Sequence, residues 1–397
     1  MKGIRMNIDY DVIVGGGSIV GLLAARQIAA AGVSVLVLED HPEIGIPEKC
    51  DGLVGSSALE ALGIMPKVSI IQNYINGAIL HSPSGKVIEI DASNMGILVV
   101  DRSKLDLDVA QAAVRNGAEI RTANPVEQVQ DTHSMVRVSC KSGDLYCRFF
   151  LDAMGSNSLM VRGQKEGIFQ AAKYVIAGDW FQKDRVELFF DNNQTPGFFT
   201  WIIPTSERTA KVGAAGKGIN SFRTLDRFVH EKGGSILKRV AAPIIVGGPI
   251  KNFINGRIIK AGDAARQTKP STAGGIYSGG IGGILAGDSI AKAVRTGNPR
   301  TLEEYEKKWR RIFGREFSST LRARAVFETL RNKHLSRILD ELASSQNTLN
   351  LLSSHGDFDF HSAALLKAIG TGTVIKILKT VAAAELSRLR PFARSQS

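Results

Sequence analysis

Residues 10–40 read YDVIVGGGSIVGLLAARQIAAAGVSVLVLED, and this stretch decides the fold. DVIV and VSVLVL are apolar runs rich in β-branched residues, as is typical of buried parallel strands. Between them, LLAARQIAAAG is rich in helix formers and ends at Gly32, and a glycine often ends a helix. The stretch therefore predicts a strand–helix–strand unit, in which a glycine-rich turn can bind a dinucleotide.

The turn of this unit has the spacing Gly16-x-Ser18-x-x-Gly21. Gly16 permits a tight turn, and Gly21 lets the helix pack closely on the strand. The middle position is normally glycine, so that the backbone can approach a pyrophosphate; the Ser18 hydroxyl would either bind a phosphate or crowd it. Glu39 ends the second strand, where an acid suits the unphosphorylated ribose of FAD or NAD better than NADP. We expect a nucleotide site rather than a plain βαβ unit.

A second stretch, GDAARQTKPSTAGG at residues 262–275, follows the short apolar run RIIKA and precedes a glycine-rich helix. It resembles the late Gly-Asp motif of flavoproteins of the para-hydroxybenzoate hydroxylase type. That resemblance implies that Asp263 holds the ribityl chain and that the next helix directs its N-terminus at the flavin, where its amides stabilise negative charge. The Ala-Asp-Gly motif expected in mid-chain reads Ala153-Met154-Gly155 and is only partly present. Together the motifs predict FAD as the cofactor.

Composition limits the function classes. The chain has 397 residues, 44% hydrophobic content and a net charge of +12, so we expect a globular protein of more than one domain with a basic surface. Such a surface attracts anionic membranes, phosphate-bearing substrates or nucleic acid, but no zinc-finger or aromatic RNA-binding pattern accompanies it, and we expect no nucleic-acid partner. Three cysteines without zinc-ligand spacing predict neither a disulfide framework nor a metal site. Cys140 and Cys147 flank a predicted hairpin, VSCKSGDLYCRFF (138–150), in which we expect buried structural thiols.

The sequence also bears on location. It lacks an apolar run of 18 residues and the apolar middle of a signal peptide, so we expect a cytoplasmic protein. Residues 363–395 are apolar with interspersed Lys and Arg. They would either lie on the inner face of the membrane, as a peripheral attachment, or pack as a C-terminal helix with a basic edge.

Five segments give a narrower resemblance over nearly the whole chain. The segments are PEIGIPEKCDGLVG (42–55), VDRSKLDLDVAQAA (100–113), DAARQTKPSTAGGIYSGG (263–280), LEEYEKKWRRIFGREF (302–317) and SSHGDFDFHS (353–362). In these segments the sequence resembles the archaeal geranylgeranyl reductases of the digeranylgeranylglycerophospholipid reductase type. FAD binding alone does not require the last two, so they are the most diagnostic.

The resemblance implies positions for the cofactor and the substrate. With the two glycine motifs, the residues expected around FAD are Gly16, Ser18, Val20, Gly21, Glu39, Cys50, Asp51, Gly52, Arg102, Val126, Asp263, Gly274, Gly275 and Ile276. The family's Tyr-x-Trp-x-Phe-Pro stretch, which lines the isoprenoid pocket, corresponds here to Phe199-x-Trp201-x-Ile203-Pro204. An apolar pocket is compatible with these changes, but the tyrosine hydroxyl is lost.

The expected reaction is saturation of carbon–carbon double bonds in geranylgeranyl chains of archaeal membrane lipids or their precursors. Hydride would come from N5 of reduced FAD, and a proton from an acid. Cys50 is the first candidate, as proton donor or as a gate for the flavin, although a lone cysteine is more often a small buried hydrophobe. Tyr277 is a second candidate acid. The electron donor would be NADPH or a ferredoxin.

The expected fold is α/β (α+β). A Rossmann-like FAD-binding domain with a parallel sheet would comprise 8–70, 100–160 and 250–297. An inserted antiparallel β-sheet substrate domain would comprise 71–99 and 161–249, with a helical tail at 298–397. Two alternatives stay open: a flavin monooxygenase or halogenase on the same fold, since fold does not determine function, and a lipid-binding relative that has lost flavin.

Overall fold

The computed structural model describes residues 8–132, 134–158, 166–241, 243–355 and 358–360. Residues 363–395, with their alternation of apolar and basic residues, lie outside the described part. The described strands are β1 (Tyr10–Gly15), β2 (Val35–Leu38), β3 (Leu53–Gly55), β4 (Ile71–Ile75), β5 (Gly77–His81), β6 (Val87–Asp91), β7 (Ile97–Val100), β8 (Glu119–Arg121), β9 (Val126–Asp131), β10 (Val136–Cys140), β11 (Gly143–Asp152), β12 (Ile168–Ala177), β13 (Arg185–Phe189), β14 (Thr200–Pro204), β15 (Thr209–Gly216), β16 (Ser235–Ala241), β17 (Ile244–Ile245), β18 (Ile254–Asn255) and β19 (Ile258–Lys260).

Helices alternate with strands in the first third and follow one another after β19. The described α-helices are α1 (Ile19–Ala30), α2 (Ser56–Ala61), α3 (Arg102–Arg115), α4 (Ser221–Lys232), α5 (Ile276–Thr296), α6 (Glu303–Phe327), α7 (Asn332–Ala343) and α8 (Gln346–His355). Short 3-10 turns join some of them, including Gly262–Ala265 before α5.

The first sheet has a parallel centre in the order β19-β11-β1-β2-β8. Strands β1 and β2, with α1 between them, are the predicted strand–helix–strand unit, and every residue of β2 is buried. Strands β9 and β10 add to β11 in antiparallel fashion, so the expected hairpin between Cys140 and Cys147 is present and both thiols are buried. Burial raises the pKa of Cys147 to about 12, as expected for a structural thiol.

The second sheet runs β16-β12-β15-β14-β13-β5-β6, with β17 on β12. Its neighbours pair antiparallel except β5 and β13, which pair in parallel because residues 77–81 enter the sheet from far upstream. One face of this sheet packs on α4, and the other faces the loop before β3. The strands of a small antiparallel sheet, β3-β7-β4, are interrupted in sequence by β5 and β6 of the second sheet.

Helices α1 and α5 pack unusually closely. A Cβ atom at Gly283 would lie 2.3 Å from the Val20 carbonyl oxygen, and one at Gly287 would lie 2.7 Å from the Ala24 oxygen. Glycine is therefore needed at both positions for the backbones to approach. Because the contacting residues advance together along both helices, the helices run parallel and begin at the same end of the molecule.

Candidate functional site

The N-termini of α1 and α5 form the centre of the candidate site. The N-cap residues are Ser18 and Gly275; neither has a side-chain capping bond, and neither first turn contains an acidic residue. A Cβ atom at Gly262 would lie 2.8 Å from Val20 Cγ2, so the late Gly-Asp motif lies against the start of α1. The structure thus brings together two motifs that are far apart in sequence, and parallel helix N-termini favour an anionic ligand.

The glycine turn has the geometry predicted for it. Gly16 has φ of +105°, and a Cβ atom there would lie 2.4 Å from the Ala153 carbonyl oxygen. A Cβ atom at Gly21 would lie 2.1 Å from the Gly16 oxygen. Ser18 is exposed and extended, with φ of −99° and ψ of 175°, which any residue can adopt. Serine is therefore compatible with the backbone at this position.

Glu39 is buried beside this turn. Its Oε2 accepts a hydrogen bond from Gly17 N at 2.7 Å, and its Oε1 accepts from His41 N at 3.1 Å. Burial raises the pKa of Glu39, although the hydrogen bonds from His41 and Gly17 lower it. The side chain that was expected to bind a ribose is thus held at the end of β2 by the backbone of the turn.

Arg102, at the start of α3, links the cysteine loop to the start of α1. Its guanidinium donates to Asp106 Oδ1 at 2.9 Å and lies near the Cys50 side chain, which accepts a hydrogen bond from Gly52 N at 3.4 Å. Burial lowers the pKa of Arg102, but Asp106 and Cys50 raise it above its usual value. Asp106, which is 4% exposed, accepts hydrogen bonds from the Ile19 N–H and, at 3.4 Å, from Ser18 Oγ. Arg102 Nε is buried without a hydrogen-bond partner among the described residues.

Asp263 lies near the start of α5. Among the described residues, no hydrogen bond to its carboxylate is found; the charge of Arg102 acts on it from a distance. Burial raises the pKa of Asp263, and Arg102 lowers it by less. A Cβ atom at Gly275 would lie 3.4 Å from Asp263 Oδ1, so this carboxylate faces the beginning of the helix. Its oxygens remain available to accept bonds from a ligand.

Trp201 contacts the cysteine loop. Its Nε1 donates to Asp51 Oδ2 at 2.8 Å, and the other carboxylate oxygen, Asp51 Oδ1, is buried without a hydrogen bond among the described residues. Phe199 lies 6.1 Å from the Trp201 ring, measured between centroids, in an edge-to-face arrangement. Gly52, next in the loop, has φ of +81° and approaches Val100 O so closely that a Cβ atom would lie 2.0 Å away.

The remaining residues predicted to line the substrate pocket or to act as acid pack against apolar neighbours. Ile203 is 5% exposed in a core cluster with Ile75 and Val186. Pro204 is buried at the end of β14, and its oxygen accepts from Asn73 Nδ2 at 2.9 Å. Tyr277 has its ring against Phe313 and Phe360, at centroid distances of 5.4 and 6.0 Å.

The remaining residues of the predicted cofactor motifs lie at the edge of the first sheet, at the start of α5 and beside the end of β1. Val126 is half-buried at the start of β9, on the edge of the first sheet. Gly274 and Ile276 flank the N-cap of α5, where a Cβ atom at Gly274 would lie 2.9 Å from Lys269 Cε. Met154, which stands where the family motif has aspartate, packs its side chain against Gly15. The roles of these residues stay predictions.

Four residues of the site were not singled out from the sequence. Lys173 and Lys211 are each 2% exposed, although they lie on strands, and they bind the loop that carries Cys50. Glu48 accepts hydrogen bonds from Lys211 Nζ and Arg102 N at 2.7 and 3.3 Å. Asp106 lies in the segment 100–113, in which only Arg102 was predicted to have a role. A lysine within a largely apolar strand was the available signal, and it did not distinguish a buried lysine from an exposed one.

Comparison with solved structures defines the class. A geranylgeranyl bacteriochlorophyll reductase-like protein from Thermoplasma acidophilum has a TM-score of 0.80 at 23% identity, over 94% of this chain and 99% of that chain. The myxobacterial chondrochloren halogenase CndH, a variant of FAD-dependent halogenases, has a TM-score of 0.61 at 17% identity, over 89% of this chain and 85% of that chain. The fold is therefore the Rossmann-like fold shared by flavoprotein reductases, monooxygenases and halogenases.

Sequence comparison gives the family. The chain belongs to the lycopene cyclase protein family, whose model matches residues 11–209. Digeranylgeranylglycerophospholipid reductase 1 of Methanopyrus kandleri is 29% identical over 88% of this chain and 98% of its own length. An uncharacterized protein of Methanocaldococcus jannaschii is 28% identical over 94% of this chain and 98% of its own.

These comparisons test several predictions. The resemblance to the geranylgeranyl reductases is confirmed, as are the α/β fold and the enzyme class, an oxidoreductase. Within the described residues, every helix is too short or too polar to cross a bilayer. The domain boundaries and the individual site residues stay predictions.

Proposed function

We propose that the chain is an FAD-dependent reductase that saturates carbon–carbon double bonds in the geranylgeranyl chains of membrane lipids or their precursors. The observation that carries the proposal is the convergence of the N-termini of α1 and α5 beside the Asp263 carboxylate, with Arg102 near Cys50 and Trp201 bonded to Asp51 in the same loop. The names of the relatives support the substrate class, because several are digeranylgeranylglycerophospholipid reductases at 28–29% identity.

The residues present fit a flavin dinucleotide. The start of α1 would hold the pyrophosphate, and Glu39 would hold the adenosine ribose. Asp263, whose carboxylate has no hydrogen bond among the described residues, would accept bonds from ribityl hydroxyls. The unpartnered Nε of Arg102 is a further donor at this position. Ser18 has an unstrained extended backbone, which is compatible with the same site.

The chemistry needs both a hydride and a proton, because an isolated alkene has no carbonyl to stabilise a carbanion. Bound FAD, once reduced, would supply the hydride. In the chain itself, the half-buried Cys50 Sγ is the first candidate to hold the proton, and its hydrogen bond from Gly52 N helps to fix its position near Arg102. The Trp201 indole would exclude water, and its face could stabilise positive charge developing on the tertiary carbon. Tyr277 is the second candidate acid.

Several finer points belong to the same proposal. The isoprenoid substrate is a membrane lipid or its precursor, so we propose action at the inner membrane surface as a peripheral protein. The +12 net charge supports this location, since it favours an anionic surface. NADPH or a ferredoxin would supply the electrons.

A monooxygenase or halogenase is the second candidate, and one observation favours it. Phe199-x-Trp201-x-Ile203-Pro204 differs at its first aromatic residue from the Trp-x-Trp-x-Ile-Pro pattern of flavin-dependent halogenases. The structural match to a halogenase is compatible with this reading, but it demonstrates only the fold.

One experiment separates these functions. The visible spectrum of the purified protein is recorded, and the sample is then reduced with dithionite without oxygen and given a geranylgeranyl lipid. Return of the flavin bands, with a product that gains two hydrogen atoms per double bond, supports the reductase. Reoxidation only by oxygen, with an oxygenated or halogenated product, supports the second candidate. A protein that stays colourless in excess FAD would contradict both and would favour a flavin-free lipid-binding relative.

A further inference from the structure

Two buried lysines lie on the face of the second sheet that points at the cysteine loop. Lys173 is on β12 and Lys211 is on β15, and each is 2% exposed. Gly213 pairs with Lys173 on one side and with Trp201 on the other, so these three residues form a row across three strands. The lysines therefore share a sheet face with the indole that was proposed to line the substrate pocket.

Each lysine hydrogen-bonds the backbone of the loop. Lys173 Nζ donates to the Cys50 carbonyl oxygen at 2.7 Å, and Lys211 Nζ donates to the next carbonyl, that of Asp51, at 2.9 Å. Lys211 also pairs with the Glu48 carboxylate at 2.7 Å. Trp201 adds a third attachment through its bond to Asp51. Consecutive residues of one loop are thus attached to one rigid sheet.

These cations are costly to bury. Burial lowers the pKa of Lys173, although Asp51 and Glu48 act in the opposite direction. An apolar side chain of similar volume would avoid this cost, and replacement of a buried ion pair by apolar residues is often neutral or stabilising. Burying lysines here is therefore a poor way to stabilise the sheet, but it is an effective way to hold backbone carbonyls that have no strand partner.

We propose that Lys173 and Lys211 are positioning residues, which hold the Cys50 loop against the Trp201 face of the sheet and so fix the thiol relative to the substrate. They act through backbone carbonyls and are too buried to contact a ligand themselves. The catalytic part of this inference rests on the proposed function. Its structural part, the attachment of the loop, does not.

The position of the Trp201 ring over Gly213 supports the same arrangement. A Cβ atom at Gly213 would lie 2.1 Å from Trp201 Cζ2, so the indole lies directly over this glycine, between β14 and Lys173 on β12. With the indole in this position, Asp51 Oδ2 is bound to Trp201, while Asp51 Oδ1 is 3.9 Å from Lys173 Nζ. The loop is therefore held from both sides of Gly213.

The test uses alkylation of Cys50 by iodoacetamide in the folded protein. Cys140 and Cys147 are 5% and 0% exposed, so the reaction reports the loop cysteine. The variants are Lys173→Met and the paired replacement Lys211→Met with Glu48→Gln, which does not leave an unpaired buried carboxylate. Lys238→Met is the matched control, because Lys238 is an exposed lysine on β16 whose Cα pairs with Val175.

We expect both test variants to be alkylated about tenfold faster than wild type, because a charge-assisted hydrogen bond to the loop is lost, while the control is unchanged. In prenyl reduction, kcat should fall about tenfold with KM changed by less than about twofold, since positioning acts on the chemical step. Lys173→Gln keeps a donor toward the Cys50 carbonyl and should recover part of both effects. If Lys173→Met does not fold, the paired variant of Lys211→Met with Glu48→Gln serves as the test.

Unchanged alkylation and unchanged kcat in the test variants would overturn the proposal, as would equal effects in the Lys238→Met control. Failure of the proposed function has a different signature. Wild-type protein would then reduce none of the prenyl lipids, while faster alkylation of the lysine variants would still support the attachment of the loop.

Discussion

Gly283 of α5 lies against the main chain of Val20 in α1, so closely that a Cβ atom at Gly283 would be 2.3 Å from the Val20 oxygen. This contact sets the spacing of the two helices whose N-termini form the candidate site. Since Val20 also contacts the Gly-Asp motif at Gly262, a change in this spacing would alter both nucleotide-binding motifs together.

Replacing Gly283 by alanine should therefore lower both stability and FAD affinity. The methyl group would force the helices apart, and overpacking of this kind costs about 1–3 kcal/mol. Urea unfolding and FAD titration measure the two effects. Gly314→Ala is the matched control, because Gly314 is also helical and a Cβ atom there would lie 4.0 Å from its nearest neighbour, Arg310 Cβ. We expect the control to gain up to about 1 kcal/mol. Equal stability of the two variants would contradict the close approach of the helices.

Asp263→Asn should stabilise the apoprotein at neutral pH but weaken FAD binding. Burial raises the pKa of Asp263 in the folded state above its value in the unfolded state, which is about 4. At pH values between these two pKa values, the folded state therefore binds more protons than the unfolded state. The free energy of unfolding of the wild type therefore falls as pH rises through that window. The asparagine variant should not show this part of the decline.

The measurement for Asp263 is Tm against pH without cofactor, followed by the Kd for FAD. Loss of a charged hydrogen bond costs about 1.5–3 kcal/mol, so Kd should rise by about tenfold or more. Parallel pH profiles for the two proteins would contradict the raised pKa of this carboxylate. An unchanged Kd would contradict its binding to the ribityl chain.

Comparison of Cys50→Ala with Tyr277→Phe should identify the acid. Cys50 is half-buried beside Arg102, whereas the Tyr277 ring lies against Phe313 and Phe360. Because loss of a general acid costs about 10²–10⁴-fold, we expect Cys50→Ala to lower kcat in that range, while Tyr277→Phe stays within about threefold. Flavin content is the control for both. The reverse pattern would assign the proton to Tyr277.

Ser18→Gly should change FAD affinity by less than about threefold. The extended backbone of Ser18 does not require glycine, and replacing a serine N-cap by glycine costs only a few tenths of a kcal/mol. FAD titration of the two proteins measures the difference. A much tighter complex in the glycine variant would show that the hydroxyl crowds the phosphate.

The nucleotide-binding motifs could be predicted because their signals are local. The apolar strands and the glycine at position 21 identify a strand–helix–strand unit, and the hairpin ending at Cys147 follows from alternation and a turn. Gly16, which was predicted to permit a tight turn, has positive φ. Where two backbones pack closely, a side chain would collide with the neighbouring backbone and glycine is needed. Such contacts can therefore be predicted from the sequence alone.

The rest of the candidate site depends on contacts between distant segments. Lys173 and Lys211 resemble ordinary polar residues on strands, and only the loop at Glu48 and Cys50 explains why they are buried. Ile203 belongs to the expected aromatic stretch but lies in a closed core cluster, because the small sheet covers it. Sequence patterns indicate which face of a strand a residue occupies, but not which segment covers that face.

The pairing of α1 with α5 also has a consequence for biosynthesis. The contacting residues are about 260 positions apart, so at typical translation rates Val20 would leave the ribosome on the order of ten seconds or more before Gly283. During that interval the part of α1 that packs on α5 has no partner, although α3 can already cover another part, and the N-terminal glycine turn cannot yet form a complete site. If FAD is the cofactor, as proposed, its loading is thus a late event in the life of the chain, and an excess of free FAD would rescue released protein but not nascent protein.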